Sequence, residues 1–498
     1  MEAMRKTGAC WLAALWLLVG CQDRVPAETG PPPPVEDELP SPKEPVYACP
    51  PSDTAGRVYY LAPYGDDAAP GTREAPWKSP GRAVRRLEPG DTLVILPGRY
   101  VLKDYPDDIL FVPSGAEGRW ITVCGPFDAP YPVLAGQDNL RTAIDVSGTS
   151  YVRLWHLEIT HNSEAADVAF REGINGTGAP VSHLHLYDVY IHHLDQFGVD
   201  LADVDHLLIE HSRIEYTGFG AIGGPRGNEG GFKNAVIRYT RLSYGGHYYR
   251  GGDGSDRPYD RPDGFGIEAS EGPIWLDHVV AEHNWGDGLD SKAARTRITN
   301  SVVANNWGDG VKLWGREGVL ENVLIYGRGD GDPRVSPWSG VVVSTTHAGA
   351  RFVLRHVTVD DALGQNYLMH VQYDHPGVPV ELVLRNVIFS ARGPRSPVFL
   401  SSGTTLDAAG VLFSIAGETL LDWGGRRFGC GEVDELGPQV FCGDPGFRAP
   451  AWGEKGDYHL TVGSAAIDAG VPAGVPRDLD GRFRDPSPDL GAYEYAEP

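Results

Sequence analysis

Aspartate recurs beside glycine in three successive segments, Asp263-Gly264-Phe265-Gly266, Asp287-Gly288-Leu289-Asp290 and Asp309-Gly310-Val311-Lys312. If each segment is a strand, its side chains alternate between two faces. Phe265, Leu289 and Val311 then point inward, with Ile267, Ser291 and Leu313 after them. Gly266, Asp290 and Lys312 form one outward column, and Glu268, Lys292 and Trp314 form its neighbour. Asp263, Asp287 and Asp309 stack just before the strands. At a strand spacing of about 4.8 Å, three stacked segments gather these groups in a patch on the order of 10–15 Å tall. Clustered carboxylates are the hard oxygen donors that Ca²⁺ takes six to eight of. A lysine amine beside a dication can have its pKa lowered enough to act as a base. Such a set suits abstraction of a proton next to a carboxylate, with the cation offsetting the carboxylate's charge.

The same residues have plainer readings. Asp-Gly is a common turn former and Asp caps turns, so Asp309 taken alone reads as a turn residue. Lys292 would neutralise Asp290 or Asp287 one segment away, a solvated pair worth little. Tyr244 to Arg261 is a turn-rich excursion whose Arg250 and Arg261 suit bidentate capture of a carboxylate, or it is only a loop. Trp314 points outward as a sugar platform, whereas Trp285 and Trp307 pack corners. His183, His185, His192 and His193 read as alternating surface residues. Arg328-Gly329-Asp330-Gly331-Asp332 lacks the further ligands of a calcium loop and reads as a turn.

The elements that position the cluster are a repeat. Aligned on Gly198, Gly220, Gly264, Gly288 and Gly310, the spacings are 22, 44, 24 and 22, the 44 being two periods or one period plus a loop. Between the glycines lie short β-branched runs such as Leu207-Leu208-Ile209 and Val357-Thr358-Val359. Runs this short cannot bury a face alone, but coils stacked on one another can. The expectation is an all-β chain: a right-handed parallel β-helix of roughly 20–25 residues per turn, with a short N-terminal capping helix begun by Ser79-Pro80 and an irregular C-terminal tail. With 64 Gly and 40 Pro, helical bundles are disfavoured. A net charge of −24 argues against nucleic acid as a partner.

Residues 1–20 read as an export signal, with Arg5 and Lys6 before a short apolar run. Leu18-Val19-Gly20-Cys21 resembles a bacterial lipobox, which implies lipidation of Cys21. Residues 21–45, with four consecutive prolines, read as a tether, 46–430 as the solenoid and 431–498 as a C-terminal capping region. A chain anchored by lipid alone, monomeric, in the bacterial cell envelope at the outer membrane or cell surface is expected. There Cys430 with Cys442 closes a short loop, and Cys49 with Cys124 is the default second disulfide.

Tyr59-Tyr60-Leu61-Ala62-Pro63-Tyr64-Gly65-Asp66, Pro89-Gly90-Asp91-Thr92 and Leu96-Pro97-Gly98-Arg99-Tyr100 resemble the opening of right-handed β-helix polysaccharide lyases, the ninth lyase family of pectate lyase type above all. Asp478-Leu479-Asp480-Gly481 through Glu494-Tyr495 resembles the tail closing such secreted proteins. The resemblance covers roughly residues 55 to 498 and implies a Ca²⁺-assisted lyase that cleaves a uronate-containing acidic polysaccharide by β-elimination. It assigns the metal to Asp263, Asp287 and Asp290 and the base to Lys312. Gly286 stands where the family's middle motif begins with Asp, so Glu268 or Asp309 substitutes as ligand, or no metal binds. Arg250, Arg261, Lys292 and Trp314 are the candidate substrate contacts. Two other readings stay open: a glycoside hydrolase using Asp287 with Asp290 or Glu268, and a non-catalytic glycan-binding surface protein.

Overall fold

Short strands that cannot stand alone are paired edge to edge along the whole chain. The computed structural model describes residues 47–163, 167–256, 262–393 and 396–497. The export signal, Cys21, the tether and Arg261 lie outside the described residues. Two long sheets run in parallel register, one rung above the next, and the chain is a parallel β-helix. In the sheet that matters here, the front sheet, successive strands are Glu172–Gly176, Phe197–Leu201, Gly220–Gly224, Phe265–Ser270, Leu289–Ala293, Val311–Leu313, Ser339–Val343, Tyr367–Val371 and Val398–Leu400.

Each rung turns because its corners accept left-handed backbone. His278, Asn300, Asn322, His356 and Asn386 all have φ between 48° and 59° and stack one above the next along the long back-sheet strands. Asn and His tolerate this conformation better than β-branched residues do, so they mark the bends. Their side chains add to the stack, as where the Asn322 amide donates to Asn300 Oδ1 at 3.1 Å. Between corners the strands send apolar residues into one continuous core, including Phe265, Leu289, Val311, Val341, Met369 and Val398 from successive front rungs.

The inward and outward alternation expected for residues 265–267, 289–291 and 311–313 is present residue for residue. Two details differ. Gly220 pairs with Phe197, so the column-mate of Gly198 is Ala221, and the glycine alignment slips by one there. Ile222 pairs directly with Phe265, so the 44-residue spacing is one period carrying an inserted loop. A five-residue helix, Pro80–Val84, buries Ala83 and Val84 in the core. Ser79 does not cap it through its side chain, because its hydroxyl donates to Asp67 instead. His185 is buried against Glu210 at 2.9 Å rather than lying on the surface. Both disulfides, Cys49–Cys124 and Cys430–Cys442, are formed.

The C-terminal segment packs against the outside of the back sheet. Tyr458, Leu460, Ala466, Leu490 and Ala492 build two smaller cores there with Tyr326, Leu324, Ile388 and Leu412.

Candidate functional site

The aspartates before the front strands are joined into a ladder by backbone geometry. Asp263 Oδ1 accepts the Asp287 N–H at 2.7 Å, Asp287 Oδ1 accepts the Asp309 N–H at 2.8 Å, and Asp309 Oδ1 accepts the Ser339 N–H at 2.8 Å. One oxygen of each carboxylate thus staples a rung to the next. The second oxygens of two of them hold Lys312, whose Nζ lies 2.7 Å from Asp287 Oδ2 and 2.9 Å from Asp309 Oδ2. Asp290, on the strand below Lys312, points out of the same sheet. Asp263, Asp287 and Asp290 each offer an oxygen within 4.8 Å of the others. The structure therefore brings together the three carboxylates that the sequence grouped, with Lys312 beside them.

Gly266 makes room for this. A Cβ there would sit 2.6 Å from Asp263 Oδ2, so any side chain would push the carboxylate out of the cluster. Three close oxygens, a cradle that only glycine leaves open and an all-carboxylate donor set fit a hard divalent cation such as Ca²⁺.

The electrostatics are those of crowded, desolvated acid. Burial raises Asp263 well above the usual carboxylate range, and Asp287 and Asp290 raise it further. Burial also raises Asp287, against the pull of Lys312, and pushes Asp290 up to about 6 with help from Asp287. For Lys312 burial favours the neutral amine, but Asp309, Asp287 and Asp290 outweigh it and drive the ammonium's pKa above its ordinary value. A lowered lysine is expected beside a dication; with the carboxylates unneutralised, Lys312 holds its proton. It is also covered, only 2% exposed, with Nζ 4.9 Å over the Trp338 ring.

The remaining candidates separate. Glu268 is ion-paired with Lys292, which also acts electrostatically on Asp290. Neither Glu268 nor Asp309 belongs to the three-carboxylate group. Trp314 donates its indole N–H to Asp290 Oδ1 at 2.6 Å, which makes it a support for the carboxylate. Arg250 stacks on Tyr248 at 4.2 Å, and its backbone N–H donates to Asp195, two rungs below Asp263. Trp285 and Trp307 are not packed in corners but stand about 45% exposed.

Several neighbours were missed. Trp338, Tyr367, His370, Tyr373 and Phe399 form an aromatic group on the rungs above Lys312. Ser339-Gly340-Val341 keeps the glycine of the repeat without its aspartate, which was the available signal. Below the cluster, Glu172 is raised to about 7 and Asp200 to about 6, both mainly by burial. A cavity of about 620 Å³ lies elsewhere, beside Phe413 and Cys442. Its lining includes Arg392, already paired with Asp360, and among the described residues it holds no carboxylate cluster.

No family model matches the chain, and no curated protein does. Solved structures do. The complex of XylC with xylose aligns over 88% of this chain and 98% of its own, with TM-score 0.58 and 9% identity. Pectate lyase Pel9A aligns over 89% and 97%, with TM-score 0.44 and 14% identity. An alginate lyase from Paenibacillus sp. str. FPU-7 aligns over 70% and 99%, with TM-score 0.42 and 14% identity. The likeness is one of fold. It agrees with the parallel rungs read directly from the pairing of the strands.

Proposed function

We propose that the protein is an exported, carbohydrate-active β-helix that cleaves a uronate-containing polysaccharide by β-elimination, with Ca²⁺ held by Asp263, Asp287 and Asp290. The observation that carries the reading is the convergence of these three carboxylates within 4.8 Å of one another, on the outward side of the front sheet and against Lys312. A cation bound there supplies charge neutralisation for a substrate carboxylate. Lys312 is the base. Its amine takes the proton from the carbon next to the uronate carboxylate, the C–O bond to the leaving sugar breaks, and a C=C bond forms in the ring left behind. The pairs to Asp287 and Asp309 keep Lys312 protonated, so its competence as a base depends on their charge being taken up. Trp314 fixes Asp290, and the N–H ladder fixes Asp263 and Asp287.

The spacing favours this over hydrolysis. Hydrolases place their carboxyls on either side of a bond, about 5–9.5 Å apart, whereas these oxygens sit close enough to share one ion. The two disulfides support an oxidising compartment, in keeping with the export signal and with lipidation at Cys21 as part of the same proposal. The test is incubation with pectate, alginate and glycosaminoglycans. An unsaturated product absorbing in the ultraviolet is expected, abolished by chelator and reduced about 10²–10⁴-fold in Lys312→Met. New reducing ends without ultraviolet absorbance would replace the lyase reading with a hydrolase.

A further inference from the structure

His370 lies in the same outward column as Lys312, two rungs higher through Val342, so roughly 10 Å along the solenoid axis. Its neighbours Met369 and Val371 point into the core, so the imidazole faces out of the front sheet. It is 2% exposed, and neither ring nitrogen has a hydrogen-bond partner. A buried polar group left unpaired is costly, and here both nitrogens of one ring are orphaned. Around it stand aromatic faces. Trp338 meets it edge-on at 6.1 Å and Tyr373 edge-on at 5.8 Å, and Tyr367 lies at 6.0 Å. Phe399 continues the group one rung up, 5.4 Å from both tyrosines. Trp338 is 40% and Tyr373 54% exposed, so the group is partly open to solvent immediately beside Lys312.

The charge around this pocket does not suit an anion. Burial pushes His370 down to about 4, so it stays neutral near neutral pH. The ionisable groups that act on it are Asp374 and Lys312, and Lys312 is already committed to Asp287 and Asp309. A neutral imidazole offers one donor and one acceptor, the pairing that sugar hydroxyls satisfy and a carboxylate does not. Apolar ring faces beside it suit the C–H face of a pyranose. On the opposite side of the carboxylates the same column carries Asp200 and Asn175, with a buried Asp200 oxygen that also lacks a partner.

Resting on the reading above, we infer that the sugar next to the reacting uronate is neutral and binds on Trp338, Tyr373 and His370, so the substrate is a heteropolymer with its acidic residues set apart by neutral hexoses. A homopolymer of uronate would place a carboxylate against the imidazole.

The experiment uses the full chain with Ca²⁺ and three tetrasaccharides: all uronate, alternating uronate and neutral hexose, and all neutral hexose. Binding is read from tryptophan fluorescence in the first seconds after mixing. The alternating probe should bind about tenfold more tightly than the all-uronate probe. That advantage should fall to less than threefold in both His370→Phe, which fills the site with an apolar ring, and Tyr373→Ala, whose exposed position spares the fold. Equal or tighter binding of the all-uronate probe overturns the inference, and so does an advantage that survives both substitutions. If the all-uronate probe is bound and cleaved regardless of His370 and Tyr373, the lyase reading stands and this inference falls. If only the neutral probe binds, and does so through His370 and Tyr373, the sugar site stands and the uronate chemistry falls.

Discussion

Lys312→Met removes the cation from the buried cluster while keeping most of its volume. Two ion pairs, at 2.7 and 2.9 Å, are lost at a site where the side chain is 2% exposed. Deleting one partner of a buried pair costs about 3–5 kcal/mol, because the other partners stay buried and charged. The sign with pH follows from the carboxyls. Asp290 is raised to about 6 by burial first and Asp287 second, so in the folded state it binds a proton that the unfolded chain has already released. Stability is therefore lost as pH rises through roughly 4 to 6, and the loss persists above that window. Without Lys312 the acids repel more strongly and the raised pKa values of Asp263, Asp287 and Asp290 climb further, so the cost of the substitution grows with pH. Over Ala48–Pro498 an unfolding entropy of roughly 2 cal/mol/K per residue converts each kcal/mol to about 1 °C. The melting temperature of Lys312→Met should fall by about 3–5 °C at pH 8 without metal, and by less than half of that at pH 5. Ca²⁺ at about 100 times its dissociation constant should return about 2.7 kcal/mol. Calorimetric scans of both proteins at the two pH values, with and without Ca²⁺, measure this. An equal loss at pH 5 and pH 8, or no loss at all, would refute the picture of a lysine compensating crowded acids.

Gly266→Ala should force Asp263 aside, since its Cβ would stand 2.6 Å from Asp263 Oδ2, and should weaken divalent-ion binding about tenfold or more, read by terbium luminescence. Arg328→Met should cost about 3–5 kcal/mol in urea unfolding. Arg328 is buried, ion-paired with Asp361 at 2.9 Å, and donates to the Pro337 carbonyl next to Trp338. Adding Asp361→Leu should recover part of that loss.

The repeat and the outward column were legible because both follow from strand alternation. Once Phe265, Leu289 and Val311 are taken inward, Gly266, Asp290 and Lys312 have no other side to occupy. The grouping of Asp263 with Asp287 was legible from the same glycine register. The ionisation of Lys312 was not, since it depends on which second oxygens reach the amine and on how little water remains around it. Trp314 is a related case: its outward position is fixed by alternation, but its bond to Asp290 is not. The aromatic group above Lys312 escaped notice because its members come from three separate segments, 338, 367–373 and 399, that only the stacking of rungs unites.

The C-terminal segment has a mechanical consequence. It bonds to four consecutive rungs: the Asn305 amide donates to the Glu454 carbonyl, that of Asn322 to Arg477 and that of Asn386 to Val471, and Thr358 Oγ1 accepts the Ala492 N–H. An ordinary solenoid can fray coil by coil from either end, because each coil answers only to its neighbours. Here the coils behind Asp290 and Lys312 are lashed together from outside like staves under a hoop. Their melting is therefore concerted.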